Sequence, residues 1–457
     1  MRLSLGLLSL LALFTIAACE NDVHSLAPWS ADSYYGDPEG YDWDTDAAGM
    51  WDRRPNLAAC SNEDVNLWIL DKLWDMYLWY DHLADDIDFR VELEPGDFLG
   101  AVKYKESDHF SYLSKKEDHD DYYGGRYYGF GFSFRKFPDY VVYVTLVIPG
   151  SNAETAGMRR GQRIIAIDGK TVQEIEDNNL WSTVTSRPED KKDIPLEYVV
   201  EEEGEEKTLT LYAGDVTAPS IYKTDILDDD DRKVGYLMLK SFINSTNGEL
   251  DTAFTAFKAA GVTDLVVDLR YNGGGWLDGS EHLASLITGG ELKDELFTRL
   301  TYNKKHQDYN SDYHFKDFAQ SLGLQKVVFI ATGGTASASE VVINGLKPYD
   351  KVAIVGGKTY GKPVGMNPMS YCDYTLVPIT FKLANADGYG DYFTGMPADC
   401  EADDDVTHDF GDARETSLAA ALSYLRDGTC PAAPAVYAWN PDEIDVRTVP
   451  YRLGWLF

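Results

Sequence analysis

Apolar and polar residues follow two different periods along the chain, and the changes of period mark successive structural elements. Residues 264–269, 326–331 and 351–355 are short apolar runs rich in β-branched residues, which predicts three buried strands. Residues 340–346, between the second and third runs, are typical of a short helix. Strands separated by helices make a parallel sheet, so the segments that follow the three strands should emerge at one carboxyl edge, where open α/β sheets bind ligands.

Two glycine-flanked segments follow the second and third strands and carry candidate chemistry. Ser337 lies in residues 333–340, GGTASASE, and Lys362 ends residues 357–362, GKTYGK, 25 residues further along the chain. A neutral lysine can make a serine nucleophilic if the lysine is desolvated enough to lose its proton near neutral pH. The pattern therefore suggests a Ser/Lys dyad at the sheet edge.

The glycines after the first strand, in residues 268–275 (DLRYNGGG), suggest an oxyanion hole. Backbone N–H groups can approach a substrate oxygen only where no Cβ blocks them. We expect the N–H of Gly273 or Gly274 to act together with that of Ala338, at the start of the helix, where the helix dipole strengthens the site.

Taken in order, these three segments resemble the successive signatures of the S41 serine peptidases, the carboxy-terminal processing or tail-specific proteases. The resemblance covers roughly residues 61–425. It implies that Ser337 is the nucleophile and Lys362 the general base. It also implies an α/β protease core with a mainly parallel sheet of the ClpP/crotonase-like kind.

The chain departs from the family pattern around the lysine. Many members carry a glutamine four residues after it, and others an aspartate eleven residues after the serine; here those positions are Met366 and Pro348. Asn344 and Asp350 are nearby polar candidates for a third catalytic residue. Spacing alone does not choose between them.

A second resemblance lies upstream of the core. Residues 128–134, YGFGFSF, resemble the carboxylate-binding loop and first strand of a PDZ domain, and residues 151–170 resemble the helix and strand that follow. Such a loop offers N–H groups to a terminal carboxylate while the strand edge accepts the peptide as an added strand. The residues expected to bind the peptide are Gly129, Phe130, Gly131 and Phe132. The alternative is a glycine-rich turn with both phenylalanine rings buried.

The 457 residues are enough for about three domains, which we expect to be an α/β and β multidomain arrangement. The predicted limits are 1–18 for a lipoprotein signal peptide, 19–60 for a tether, 61–122 for a small N-terminal helical domain, 123–215 for a PDZ-like domain, 216–430 for the protease core and 431–457 for a C-terminal tail. The helical domain opens with a capping-box pattern at residues 61–64. The acidic run at 201–206 is predicted to be a solvated hairpin tip. The run at 401–405 is predicted to be a solvated turn; the alternative is a cation site, for which the glycine and distal glutamate of an EF-hand are missing.

The N-terminus has the pattern of a targeting segment, with Arg2 ahead of an apolar stretch over residues 3–18. The stretch ends in residues 16–19, IAAC, which resemble the bacterial lipobox and would make Cys19 the lipidated first residue of the mature protein. The alternative is an ordinary secretory peptide. We therefore expect a protein of the bacterial cell envelope, held at the membrane by its lipid anchor only, and either periplasmic or surface-exposed.

Charge and cysteine content narrow the classes of function. A formal net charge of −35 argues against nucleic acid as a partner and against attraction to anionic lipid. Metal and nucleotide motifs are absent from the sequence, so we expect no metal and no cofactor. Apart from Cys19, the cysteines are Cys60, Cys372, Cys400 and Cys430, which allow two disulfides, and Cys372 with Cys400 is the pairing we expect first.

The sequence thus predicts a lipid-anchored serine endopeptidase whose partners are protein or peptide substrates. The PDZ domain would capture C-terminal or unfolded tails, and the Ser/Lys dyad would hydrolyse their peptide bonds. The alternative is a catalytically inactive peptide-binding lipoprotein that retains the fold, an alternative that Met366 and Pro348 keep open.

Overall fold

The computed structural model of the protein describes residues 60–84, 86–229, 231–431 and 445–447. The helices are α1 (Asn62–Met76), α2 (Pro95–Val102), α3 (Lys116–Tyr123), α4 (Asn152–Thr155), α5 (Val172–Asp177), α6 (Trp181–Val184), α7 (Thr246–Ala260), α8 (Leu277–Thr288), α9 (Ala338–Leu346) and α10 (Thr416–Asp427). Short 3₁₀ helices lie at Tyr80–His82, Glu189–Lys191, Gly289–Glu291, Gln307–Tyr309 and Lys347–Tyr349.

Over the described residues, the strands form five sheets. They are β1 (Tyr112–Lys115), β2 (Arg126–Gly129), β3 (Phe132–Phe137), β4 (Val141–Val147), β5 (Arg163–Ile167), β6 (Lys170–Thr171), β7 (Leu196–Glu202), β8 (Glu205–Leu211), β9 (Gly214–Thr217), β10 (Ile221–Asp229), β11 (Arg232–Leu239), β12 (Asp264–Asp268), β13 (Leu296–Tyr302), β14 (Ser311–His314), β15 (Val327–Ala331), β16 (Val352–Gly356), β17 (Val364–Met366), β18 (Met369–Tyr371), β19 (Tyr374–Val377), β20 (Ile379–Ala384), β21 (Cys400–Glu401) and β22 (Asp445–Arg447).

The N-terminal helices begin at the predicted capping box. The N–H of Asp64 donates to Ser61 Oγ (3.2 Å), and the N–H of Ser61 donates to Asp64 Oδ2 (3.1 Å), so this prediction is confirmed. The apolar face of α1 shares one hydrophobic cluster with strands β17, β19 and β20, whose members include Val65, Trp68, Ile69, Leu73, Val364, Leu376 and Ile379. The helical region therefore packs directly on the segment that follows Lys362.

The PDZ-like region is a seven-stranded sheet in the order β22-β3-β4-β5-β7-β8, with β6 paired to β5. Its core includes the rings of Phe130, Phe132 and Phe134, all fully buried. Strands β7 and β8 form a hairpin whose tip is Glu203 and Gly204, so the hairpin predicted over residues 201–206 is confirmed. At the opposite edge of the sheet, β22 from the C-terminal tail pairs antiparallel with β3.

The central sheet has the order β10-β11-β12-β15-β16-β21. Strands β10 and β11 are antiparallel, and the other neighbouring pairs are parallel, which confirms the mainly parallel sheet. Helices α7, α8 and α9 cover one face, and α10 covers the other. Both faces are buried, which explains why these strands are continuous apolar runs in the sequence.

A smaller antiparallel sheet, β14-β13-β20-β17, lies on the α9 side of the core. Gly345 of α9 allows close contact with this sheet, because a Cβ at that position would stand 2.4 Å from the ring of Phe297 on β13. Strand β17 at the edge of the sheet carries Met366. The sheet therefore positions the chain just beyond Lys362.

The disulfides are Cys60–Cys372 and Cys400–Cys430, with Cα separations of 5.9 and 5.3 Å. The expected pairing of Cys372 with Cys400 is therefore wrong. Cys372 lies in the turn between β18 and β19, which packs on the N-terminal helices beside Cys60. Cys400 lies on β21 at the edge of the central sheet, and the segment after α10 brings Cys430 to it.

Candidate active site

Three loops meet at the carboxyl edge of the central sheet, as the strand pattern predicted. They follow β12, β15 and β16, which are consecutive parallel neighbours in the sheet. The N–H of Ala336 donates to the carbonyl of Asn272 (3.1 Å), and the N–H of Tyr360 donates to the carbonyl of Thr335 (2.9 Å). The serine turn is therefore hydrogen-bonded to the glycine loop on one side and to the lysine loop on the other.

Ser337 is the residue immediately before α9 and is partly exposed. Its backbone has φ 55° and ψ −122°, a conformation that costs a non-glycine residue energy and is maintained only where the surroundings enforce it. Strained turns of this kind are concentrated at active sites and ligand-binding sites. The side chain of Ser337 is thereby presented at the strand-to-helix turn.

Glu340 joins the serine turn to the lysine loop. It is fully buried, and its Oε2 accepts the N–H of Ser337 (3.0 Å) and the N–H of Lys362 (2.8 Å). Its Oε1 accepts the N–H of Gly361 (2.8 Å) and the hydroxyl of Thr359 (2.6 Å). Burial raises the pKa of Glu340, and the hydrogen bonds that it accepts oppose this shift.

Glu340 was not among the site residues predicted from the sequence. The signal was present, because Ser337 and Glu340 have the Ser-x-x-Glu spacing of a capping box, in which the carboxylate returns to the N-cap backbone. What the sequence did not reveal is that the same carboxylate also binds the loop that ends at Lys362.

Lys362 is buried, with only 3% of its surface exposed. Burial lowers the pKa of its ammonium group to about 7, although the nearby carboxylates of Asp108 and Glu340 act in the opposite direction. Its Nζ lies 3.3 Å from Met366 Sδ and 5.6 Å from the centre of the Phe110 ring. The lysine therefore sits in a largely apolar setting, as a neutral general base requires.

The residues around Lys362 come partly from the N-terminal region. Asp108 accepts hydrogen bonds from the hydroxyl of Tyr77 (2.6 Å) and from the N–H groups of Phe110 (2.9 Å) and Ser111 (2.7 Å). These bonds fix the position of the segment whose Phe110 ring lies beside the lysine. Asp108 and Phe110 were not among the site residues predicted from the sequence.

Gly273 and Gly274, the two glycines expected in the oxyanion hole, differ in whether the N–H group is already used in a hydrogen bond. Gly274 donates its N–H to Asn272 Oδ1 (2.9 Å), so this donor is already used within the loop. A Cβ on Gly274 would stand 2.7 Å from Ser337 Cβ and 3.0 Å from the N atom of Ala338. Gly274 therefore serves by allowing close approach, and the N–H of Gly273 is the better candidate to act with that of Ala338.

Neither candidate for a third catalytic residue points to Lys362. Asn344 donates to the carbonyl of Tyr389 (2.9 Å) and accepts from Asn385 Nδ2 (3.1 Å), at the far end of α9. Asp350 is exposed and lies beyond that helix. At 1.5 Å per residue, seven residues of helix put Asn344 about 10 Å from the serine turn.

Arg270, at the start of the glycine loop, holds this loop in place through buried ion pairs. This buried side chain forms ion pairs with Asp268 (2.8 Å), Glu415 (2.8 Å) and Asp404 (2.9 Å). Asp268 ends β12 and Glu415 caps α10, so the loop is fixed to both the sheet and the helix behind it. Replacing one member would leave a buried charge without its partner, which is costly.

Asp404 connects this cluster to the PDZ-like region, where it pairs with Arg135 (3.1 Å) and Arg160 (2.8 Å). Burial raises the pKa of Asp404, but Arg160, Arg270 and Arg135 outweigh it and hold the pKa well below its usual range. The solvated turn predicted over residues 401–405 is therefore wrong at this position. The acidic run contains a buried ionic contact between the PDZ-like region and the core.

The four residues of the PDZ loop, 129–132, are all buried. Phe130 and Phe132 are buried in the core of the PDZ-like region, as the alternative interpretation anticipated. Gly131 has φ 90°, and a Cβ there would stand 2.3 Å from Ser151 Cβ. Its carbonyl accepts the N–H of Ile148 (2.9 Å) and the hydroxyl of Ser151 (3.2 Å). Both rings are therefore part of the core, and peptide binding by residues 129–132 stays a prediction.

Over the residues that the structure describes, histidine, cysteine and carboxylate side chains do not gather in groups of three or more that could hold a metal ion. None of the helices that the structure describes has the length and apolar character needed to cross a membrane. Cys19, the expected lipidation site, lies outside the described residues.

Comparison with known proteins gives matches along most of the described chain. Residues 233–400 match Peptidase family S41, residues 64–112 match the Peptidase S41 N-terminal domain, and residues 143–178 match a PDZ domain. A candidate S41 protease of Bacteroides fragilis NCTC 9343 has a crystal structure that aligns with a TM-score of 0.66 and 27% identity, covering 79% of this chain and 97% of that one.

Curated relatives of similar sequence include proteins named CtpA-like serine proteases. One from Staphylococcus aureus is 27% identical over 308 residues, and one from Staphylococcus haemolyticus is 26% identical over 304 residues. Each alignment covers 66% of this chain but only 59% and 58% of the respective relative. With its S41 N-terminal domain, PDZ domain and S41 core in this order, the chain belongs to peptidase family S41.

Proposed function

We propose that this protein is a serine endopeptidase of the tail-specific type, in which Ser337 and Lys362 form the catalytic dyad. The observation that carries the proposal is the setting of Lys362. This lysine is buried, and burial lowers its pKa to about 7. Its backbone N–H and that of Ser337 donate to the same oxygen of Glu340. A lysine with this pKa is about half neutral at pH 7, which suits a general base.

In the proposed reaction, Ser337 Oγ attacks the carbonyl carbon of the peptide bond while its proton passes to Lys362 Nζ. The ammonium group then protonates the leaving amine, the C–N bond breaks, and an acyl-enzyme remains. A water molecule then attacks the acyl carbon while Lys362 again takes its proton. The bond to Ser337 Oγ breaks as Lys362 returns the proton to that oxygen, and the carboxylic acid product leaves and ionises. The N–H groups of Gly273 and Ala338 would stabilise the oxyanion in both steps.

Active-site labelling tests the dyad directly. A fluorophosphonate probe should modify Ser337 in the wild-type protein, as located by mass spectrometry, and should fail to label Ser337→Ala or Lys362→Met. Lys358→Met is the matched control, because Lys358 is an exposed lysine in the same loop and should leave labelling unchanged. A folded wild-type protein that binds peptides but is neither labelled nor able to cut an unfolded protein would instead support the inactive peptide-binding alternative.

We propose further that the loop at residues 129–132 and the edge of β3 capture a protein tail. Strand addition would supply the affinity, and backbone N–H groups of the loop would bind the terminal carboxylate. A peptide with an amidated C-terminus should therefore bind more weakly than the same peptide with a free carboxylate. Gly131→Val should weaken capture too, because the new side chain would meet Ser151. Equal affinity for both peptides would mean that the loop is only structural.

The proposed location is the bacterial cell envelope, with lipid on Cys19 as the anchor and no transmembrane helix needed. Cys19→Ala should then abolish incorporation of labelled fatty acid and shift the protein from the membrane fraction to the soluble fraction. Membrane association that persists unchanged in this variant would exclude the anchor without affecting the proposed peptidase.

A further inference from the structure

Residues 445–447, which lie in the C-terminal tail, add a strand to the sheet of the PDZ-like region. β22 pairs antiparallel with β3, with Asp445 opposite Arg135, Val446 opposite Phe134 and Arg447 opposite Ser133. The tail therefore occupies one edge of a sheet whose strand order is β22-β3-β4. Without it, β3 would have an unpaired edge of backbone N–H and C=O groups.

The two edges of this sheet are built differently. β8 at one edge begins with Glu205, Glu206 and Lys207, all exposed, and charged residues on an edge strand discourage pairing with another chain. β3 on the other side has the sequence FSFRKF, with Phe132 and Phe134 fixed in the core. Its two charged residues are both in ion pairs, Arg135 with Asp404 and Lys136 with Glu176. Its pairing with β4 shifts register between Ser133 and Phe134, but the two buried rings hold the strand in place as a template for an added strand.

The direction of the pairing matches that of a ligand entering a PDZ groove. Because the strands are antiparallel, β22 runs from Arg135 back toward Ser133, and its C-terminal side approaches the loop that contains Gly131. A peptide bound by strand addition must run the same way for its terminal carboxylate to reach the loop N–H groups. The tail thus uses the edge and the polarity that a substrate tail would use.

Contacts from two helices define the surroundings of the β3 edge. Lys136 Nζ on β3 pairs with Glu176 on α5 at 3.0 Å, and the ring of Phe134 lies 5.2 Å from that of Trp181 on α6. On the core side, Arg135 pairs with Asp404 at 3.1 Å. The acceptor strand is therefore fixed between these helices and the core. Because β4 pairs with the other edge of β3, only one added strand can pair with β3 at a time.

We propose that the segment around residues 445–447 is an internal ligand of the β3 edge, which an incoming tail must displace. This inference rests on the proposed peptide capture by the PDZ-like region. A tethered segment acts at an effective concentration of millimolar order, so even a weak internal ligand would reduce the apparent affinity for external peptides about tenfold. The tail would then select for substrates that bind this edge more strongly than the chain itself.

The test uses the full chain with Ser337→Ala, so that a bound peptide is not cut. Asp445→Pro with Val446→Pro removes two consecutive backbone N–H groups, one of which must face β3 because successive residues point to opposite sides of a strand. Asp445→Ala with Val446→Ala keeps both N–H groups and is the matched control. The readouts are hydrogen exchange at residues 132–137 and the affinity for a fluorescein-labelled peptide with the sequence of residues 442–449.

Relative to the Ser337→Ala chain, we expect the proline variant to exchange its β3 amides faster and to bind the labelled peptide about tenfold more tightly. The alanine variant should behave like the Ser337→Ala chain. Adding unlabelled peptide to the proline variant should restore β3 protection, which also shows that the variant is folded. Unchanged exchange would overturn the proposal. Equal peptide affinity in the Ser337→Ala chain and in its proline and alanine variants would also overturn the proposed competition, while leaving the proposed peptide capture intact. Faster exchange without any peptide binding would refute both the competition and the proposed capture.

Discussion

Ser337 and Lys362 donate their backbone N–H groups to the same oxygen, Glu340 Oε2, at 3.0 and 2.8 Å. The loops that follow strands β15 and β16 are thus fixed to one another through a single buried carboxylate. The main chains of the proposed nucleophile and base are positioned by this contact before any substrate binds. Such preorganisation reduces the entropy that must be lost in reaching the transition state.

The proposed base predicts how activity depends on pH. Only neutral Lys362 can accept the proton of Ser337, so kcat/KM should fall at low pH and rise through an apparent pKa of about 7. Initial rates of cleavage of a short fluorogenic peptide between pH 5 and 9 would measure this. A profile that is flat across that range, with chemistry shown to limit the rate, would exclude a titrating lysine.

Lys362→Met should stabilise the protein while abolishing activity. In the unfolded chain the lysine has its ordinary pKa of 10.5, whereas burial lowers the folded value to about 7. At pH 7 the unfolded state therefore binds more protons than the native state, which costs the wild type up to about 4 kcal/mol of unfolding free energy. Stability of the wild type should rise with pH and approach that of the variant near pH 10.

Urea unfolding of both proteins at pH 7 and pH 9.5 would measure this difference. Lys358→Met provides the comparison for loss of a surface lysine, and its stability should change little at either pH. A Lys362→Met protein no more stable than wild type at pH 7 would mean that burial does not penalise the charged lysine.

Glu340→Gln should lower both stability and rate, since an amide offers one acceptor oxygen to groups that now bind two. We expect a loss of about 2 kcal/mol of unfolding free energy and about a hundredfold loss in kcat from misplacement of the two loops. Removing the negative charge should also move the pH–rate midpoint to lower pH, because Glu340 raises the pKa of Lys362. A purely structural role would leave that midpoint unchanged.

Met366→Gln should shift the pH–rate midpoint upward without abolishing activity. An amide oxygen in place of the sulfur atom, now 3.3 Å from Lys362 Nζ, would accept a stronger hydrogen bond from the ammonium form and so favour it. Met366→Leu, which keeps the apolar contact, should leave the midpoint near its wild-type value. A downward shift of the midpoint in Met366→Gln together with an upward shift in Met366→Leu would show that the methionine does not contribute to lysine desolvation.

The two disulfides should differ in their effect on stability. In the chain-entropy model, the bridge between Cys60 and Cys372, 312 residues apart, restrains the unfolded chain more than that between Cys400 and Cys430, 30 residues apart. Replacing the first pair with alanine should cost about 2 kcal/mol more than replacing the second. Denaturant unfolding of the two double variants tests this order, and equal losses would show that loop length is not the deciding factor.

The arrangement of the loops at the site could be predicted from the sequence because it depends on local patterns. Three apolar runs indicated parallel strands, and parallel strands end at one edge, which brings Ser337, Lys362 and Gly273 together. The capping-box spacing at Ser61 correctly marked the start of the first helix. These features follow from residues close together in the chain, whose periodicity carries the information.

The rest of the site depends on contacts between distant segments, which spacing does not encode. Asp108 and Phe110 reach Lys362 from more than 250 residues away in the chain. Cys372 pairs with Cys60 for the same reason, because packing of the N-terminal helices on the β18–β19 turn decides the partner. The role of Asp404 was missed because an acidic run is usually solvated, and only the fold shows its three arginine partners. The predicted domain limits stay predictions.

The bridge between Cys60 and Cys372 closes a covalent ring that contains the PDZ-like region and Ser337. A single cut anywhere in that ring, including one made by a second molecule of the enzyme, would leave both pieces linked. Such damage would be invisible on a non-reducing gel and would appear as two fragments only after reduction. The β22 tail lies outside this ring and outside the smaller one closed by Cys400 and Cys430, so one cut between Cys430 and Asp445 would detach it permanently.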